Sequence, residues 1–138
     1  MQKRCGRCSP VIDNESIVFN KISTEVRKKY KTAYVIGTEI TSTPPKFPAV
    51  SIVQIDNSVK DRYMTFGKIE NVVREEYKVE VYSNLTEKKE KQTKEITAYI
   101  SDLFESLGYK RTFCQSVDNA DATIDRRISR FVNENICK

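Results

Sequence analysis

At 138 residues, with 38% hydrophobic and 31% charged side chains and only four glycines and four prolines, the chain can bury one core and is too apolar for a disordered protein. A formal charge of +5 and a pI of about 9.0 favour nucleic acid or an acidic partner only if the positive side chains share a face. No stretch nears the roughly 20 apolar residues of a membrane-spanning helix, and no signal-peptide run opens the chain, so a protein with no membrane partner, made in a cytoplasm, is expected.

Residues 1 to 12 set Lys3, Arg4 and Arg7 around Gly6 and end on Ser9 and Pro10, a composition suited to a flexible leader, with residues 13 to 138 forming a single domain. From Asp13 the pattern changes. Asp13 or Asn14 can cap a helix over about residues 14 to 30, whose apolar positions Val18, Ile22, Val26 and Tyr30 recur every four residues. Ala33 to Ile36, short, apolar and closed by Gly37, reads as an edge strand. After Thr43, Pro44 and Pro45 break the chain, Phe47 to Ile55 supplies Val50, Ile52 and Val53 for a core strand that Asp56 and Asn57 should end. The stretch from Asp56 to Asn71 shows no period and carries Tyr63, Met64 and Phe66, which reads as a long loop able to reach a partner.

Alternation then becomes clean. Val73, Tyr77, Val79 and Val81 fall on one face of a strand, and Arg74, Glu76, Lys78 and Glu80 on the other. Asn84 or Thr86 can cap a charged helix that runs to Leu107, with Gly108 just past its end. Ile96, Ile100, Leu103, Phe104 and Leu107 give that helix a packing stripe in its second half, while its charged start, with Lys88, Lys89 and Lys91, should project. Tyr109 to Cys114 and Asp121 to Val132 read as two more strands joined around Val117, Asp118 and Asn119, the last with Ala122, Ile124, Ile128 and Val132 on one face. The expected order is α-β-β-β-α-β-β: an α+β fold with an antiparallel or mixed sheet of about five strands packed by two helices.

Little in this chain suits catalysis. Histidine is absent, which removes the commonest general base and metal ligand, and no nucleophile elbow, Walker loop or dinucleotide fingerprint occurs. Cys5 and Cys8 make half a zinc site or a dithiol, but closing a zinc site would require Cys114 and Cys137 to converge on them, so reduced thiols without metal or cofactor are expected. Lysines 88, 89, 91 and 94 alternate with glutamates 87, 90 and 95, the pattern of a solvated face; only Arg126, Arg127 and Arg130 form a basic cluster.

Several strings occur in a particular order: YKVEVYSN from Tyr77 to Asn84, a charged helix, LGYKRTFCQ from Leu107 to Gln115, NADATI from Asn119 to Ile124, and Arg126 to Phe131. Upstream stand Phe47 with Pro48, Val50 with Ser51, and Asp56 to Ser58. Together, and most clearly from Val73 to Phe131, they resemble the tail-terminator or tail-completion proteins of long-tailed bacteriophages, often labelled minor capsid proteins. The resemblance implies a non-enzymatic subunit of the virion neck, a hexameric ring that caps the tail tube and joins it to a head-completion or stopper protein. Genomic DNA would pass through the lumen without specific binding, and there would be no substrate or cofactor. Candidate interface residues are then Tyr63, Met64, Phe66, Lys88, Lys89, Lys91, Arg126, Arg127 and Arg130. Another neck protein, a connector or stopper, is the nearest alternative. A small basic nucleic-acid-binding protein, using the arginine cluster and the lysine-rich helix start, is the alternative of a different class.

Overall fold

The computed structural model describes residues 14–59 and 73–136, so the leader and the segment with Tyr63, Met64 and Phe66 lie outside the described residues. The first helix, α1 (Glu15–Lys29), buries Val18, Ile22 and Val26, the expected four-residue stripe. Asn14 occupies the N-cap position without a side-chain cap bond, while Glu15 in the first turn and Arg27, Lys28 and Lys29 in the last complement the helix dipole. Tyr30 follows the helix and meets Tyr99 edge-on at 6.0 Å.

Five strands form one sheet: β1 (Tyr34–Ile36), β2 (Ala49–Val59), β3 (Val73–Ser83), β4 (Lys110–Val117) and β5 (Asp125–Ile136), in the spatial order β1-β2-β3-β5-β4. β1 runs parallel to β2 and all other neighbours are antiparallel, so the sheet is mixed and β1 is an edge strand, with α2 (Lys89–Ser106) inserted between β3 and β4 in sequence. The α+β class and element order match the expectation.

Both helices pack on one face of the sheet. Val35, Val50, Ile52, Val73, Tyr77, Val79 and Val81 meet α1 and α2 there, together with Phe131. At the centre, Phe104 stacks on Phe131 with centroids 4.5 Å apart and meets Tyr77 and Tyr109 at 5.6 and 5.3 Å. Glu75 has the same strand parity as Tyr77 and is buried with it; its carboxylate accepts hydrogen bonds from Tyr109 Oη at 2.8 Å and Tyr77 Oη at 3.4 Å.

Several boundaries depart from the expectation; β4, for one, runs past Cys114 through Val117, which the pattern sets in the turn. β2 does not end before Asp56. One extra residue, Ile55, enters as a bulge between Gln54 and Asp56, and pairing with β3 then carries the strand to Val59. α2 starts at Lys89 rather than at Asn84 or Thr86. Lys88 is its N-cap residue, without a side-chain cap bond, and the hydroxyl of Ser83 instead donates to Gln92 Oε1 at 2.5 Å. The start of α2 does not simply project, because Thr93 is fully buried and donates to Asp125 Oδ2 at 2.5 Å. β5 starts at Asp125, since Asp121 Oδ1 accepts from Thr123 N at 2.9 Å and Thr123 Oγ1 at 2.6 Å and holds the preceding residues in a turn. Ile128 and Val132 do share a face, but it is the face away from the helices; Ser129 and Phe131 face the core.

α2 ends where Gly108 takes φ 93°, a left-handed conformation that suits glycine at a helix end. A Cβ there would also approach Asn133 Nδ2 to 3.1 Å. Gly108→Ala is expected to cost about 1–2 kcal/mol, read as a lowered urea midpoint with an unchanged m-value.

Candidate interaction surface

Because partners across a ladder point to the same side, the register fixes the composition of the face that the helices leave uncovered. It carries Ala49, Ser51 and Val53 of β2, Arg74, Glu76, Lys78, Glu80 and Tyr82 of β3, Arg126, Ile128, Arg130 and Val132 of β5, and Phe113, Gln115 and Val117 of β4.

One end of this face is closed by the connection from β1 to β2. Ser51 Oγ donates to Thr38 O at 2.7 Å, and Ala49, Tyr82 and Ile124 form a second small core with Tyr34, Ile40 and Phe47 against them. That cover buries the Glu80 carboxylate to 3% exposure. Arg126 Nε and one of its terminal nitrogens donate to Glu80 Oε1 at 2.7 and 2.5 Å, Tyr82 Oη donates to the same oxygen at 3.0 Å, and Lys78 Nζ lies 3.5 Å from Oε2. Lys78 also pairs with Glu39 of the covering connection; this hydrogen bond raises the lysine pKa and lowers that of Glu39. Burial first, and then the Glu80 charge, push the Tyr82 phenol up to about 12. Further along, Arg74 bridges Asp56 at 2.5 Å and Glu76 at 3.3 Å. Charge thus alternates along β3, which suits a surface that meets a partner without strong attraction to either sign.

The three arginines that sequence groups together are separated by the strand. Arg126 is held by Glu80, and Arg130 lies on the same face with its guanidinium 5.6 Å from the Phe113 ring. Arg127 points to the helix face, where a terminal nitrogen comes within 4.0 Å of Cys114 Sγ and Nε is buried without a hydrogen-bond partner. Lys88 and Lys91 are exposed at the start of α2, and Lys89 lies 3.5 Å from Glu90. Glu80, which the alternation assigns only to a strand face, organises this surface together with Tyr82, which no pattern singles out; the hint is the pairing of an acid and a tyrosine two residues apart on β3, opposite basic β5.

Replacing Arg126 with methionine strands the Glu80 carboxylate under its cover. The expected loss is about 2 kcal/mol, less than the roughly 3–5 kcal/mol for breaking a fully buried pair, because Arg126 is 29% exposed and Lys78 remains near. Chemical denaturation of the variant against Glu80→Gln measures it.

No helix among the described residues is long and apolar enough to cross a membrane, and no three of the described Cys, Asp and Glu residues form a group able to hold a metal ion. Cys114, a free thiol, is exposed, and Cys5, Cys8 and Cys137 lie outside the described residues. Compared with known proteins, the chain matches no protein-family model and no curated protein.

Proposed function

We propose that the chain is a non-enzymatic structural subunit of a long-tailed bacteriophage neck, a tail terminator that forms a ring on the tail tube and joins it to a head-completion protein. The observation that supports this reading best is where the resembling strings fall. YKVEVYSN lies in β3 and its end, LGYKRTFCQ spans the end of α2 into β4, NADATI forms the turn before β5, and Arg126 to Phe131 lies in β5. These elements pack as one continuous β3-β5-β4 unit under α2, so the order of the strings coincides with a unit of structure.

The surface suits such a subunit. One sheet face is committed to the core, and the other offers alternating charge with an arginine over an aromatic ring, a side-chain pair favoured at interfaces. The nucleic-acid reading uses a cluster of three arginines and the lysine-rich start of α2; the strand divides the arginines, Arg126 bound by Glu80 and Arg127 facing the helices, while Lys88 and Lys91 stay exposed.

Salt dependence separates the two readings. Co-sedimentation with polymerised tail tubes is expected to persist from low to physiological salt, whereas binding through several phosphates would weaken by orders of magnitude over that range. Tubes that sediment without the chain, together with salt-sensitive retention of the chain on duplex DNA, would replace the terminator with the DNA-binding protein.

A further inference from the structure

Strand β4 closes one edge of the sheet, and among the described residues nothing pairs with its outer side. Seven of its eight residues are exposed. Sheet edges of this length are normally blunted by a charge or proline within the strand, because unpaired backbone N–H and C=O groups accept any added strand. Here Lys110, Arg111 and a bulge at Thr112 guard only the start of the strand; the five residues from Phe113 to Val117 carry no charge and no proline, and Phe113 exposes 40% of its surface.

Charge is arranged along this edge in a definite order. Lys110 and Arg111 stand at its start, Asp118 follows its end, and all three are exposed and take no part in an ion pair among the described residues. A strand that is basic at one end, neutral along its length and acidic at the other is complementary to itself run backwards. The opposite edge of the sheet, β1, has only three residues, too few to match β4.

We propose that β4 pairs antiparallel with β4 of a second copy of this chain, making a continuous sheet across a two-fold dimer. With the two-fold axis at Gln115, Phe113 lies opposite Val117 of the second copy, both on the face away from the helices. Cys114 lies opposite Ser116, and Asp118 of the second copy reaches Thr112, which β4 carries as a bulge next to Arg111. No like charges oppose one another, and a parallel arrangement would lose the match between ends. The proposal does not rest on the tail-terminator reading. A two-fold contact closes on itself, unlike the head-to-tail contact of a ring, so the dimer is the form in which free protein covers this edge.

Sedimentation equilibrium of the full chain over a range of concentrations tests it. The expected result is a mass rising from one chain to two and no further. Gln115→Lys sets lysine opposite lysine at the axis and should weaken the dimer several-fold. Arg111→Asp and Asp118→Arg should each weaken it, and the double variant should restore it, a recovery that altered folding would not produce. A single-chain mass at every concentration, association beyond two chains, a dimer indifferent to Gln115→Lys, or a double charge swap no stronger than the single ones would overturn the proposal.

Discussion

Phe104→Ala is expected to lower the stability of the protein by about 3–5 kcal/mol. The ring is completely buried and stacks on Phe131 of β5 with its plane tilted by only 7°. It also touches Tyr77 of β3 and Tyr109 just before β4, so the cavity left by alanine would open where helix and sheet meet. Stacked and edge-to-face pairs add about 0.5–1.5 kcal/mol beyond area burial, and three such contacts would disappear together. For a domain whose net stability is of order 5–15 kcal/mol, this is a large fraction. Urea denaturation near neutral pH measures it, with Leu103→Ala, at a partly buried neighbour, as the milder comparison. A Phe104→Ala loss no greater than that of Leu103→Ala would show that the aromatic stack is not the centre of the core.

The second large effect comes from alkali. Tyr77, Tyr82 and Tyr109 are all buried, and desolvation is the first cause raising each phenol, followed by the neighbouring Glu75 or Glu80 carboxylate. Their pKa values in the fold lie above those in the unfolded chain, so their contribution is complete below the unfolded value of about 10 and is lost as pH rises toward the folded values. Each tyrosine that must stay protonated steepens the decline by about 1.4 kcal/mol per pH unit, so the three together give roughly 4 kcal/mol per unit above pH 10. The decline begins to ease for Tyr82 near its raised value of about 12 and continues for the other two, whose values are pushed higher. Lys78, raised by its bond to Glu39, acts in the same direction. Urea midpoints should hold to about pH 9 and fall steeply between about pH 10 and 12, with phenolate absorbance of the buried tyrosines appearing only as the fold is lost. Phenolate formation at ordinary pH with an unchanged midpoint would contradict the burial of these three rings.

The fold was legible where one physical signal dominated. The four-residue recurrence of Val18, Ile22 and Val26 and the alternation of Tyr77, Val79 and Val81 name the core faces of α1 and β3 directly, because burial alone set those positions. Signals failed where a long-range pairing outweighed local chemistry. Asp56 and Asn57 look like turn residues, yet the Ile55 bulge and the Arg74 bridge to Asp56 keep them in β2. Asn84 and Thr86 look like caps, yet Ser83 and Asp125 engage Gln92 and Thr93 and hold the helix start further along. Glu75 interrupts the apolar alternation of β3, and its burial on the core face is intelligible only with Tyr77 and Tyr109 beside it.

The candidate surface was harder to read than the fold. Adjacent residues of a strand face opposite ways, so Arg126, Arg127 and Arg130, close in sequence, have three different settings: an ion pair with Glu80, a site under the helix face beside Cys114, and a perch over Phe113. The covering connection from β1 to β2, which buries Glu80, has no periodic pattern and so gave no warning of its role. At the start of α2, Lys88 and Lys91 are exposed while Lys89 is half-buried beside Glu90, and the three stay candidate contacts of the proposed ring.

The ring is the central claim, and the most direct test is electron microscopy with native mass spectrometry of the chain mixed with tail tubes. The expected result is a hexameric ring of 16.0 kDa chains seated at one end of each tube. Bare tube ends, with the chain recovered only as monomer or dimer, would contradict it.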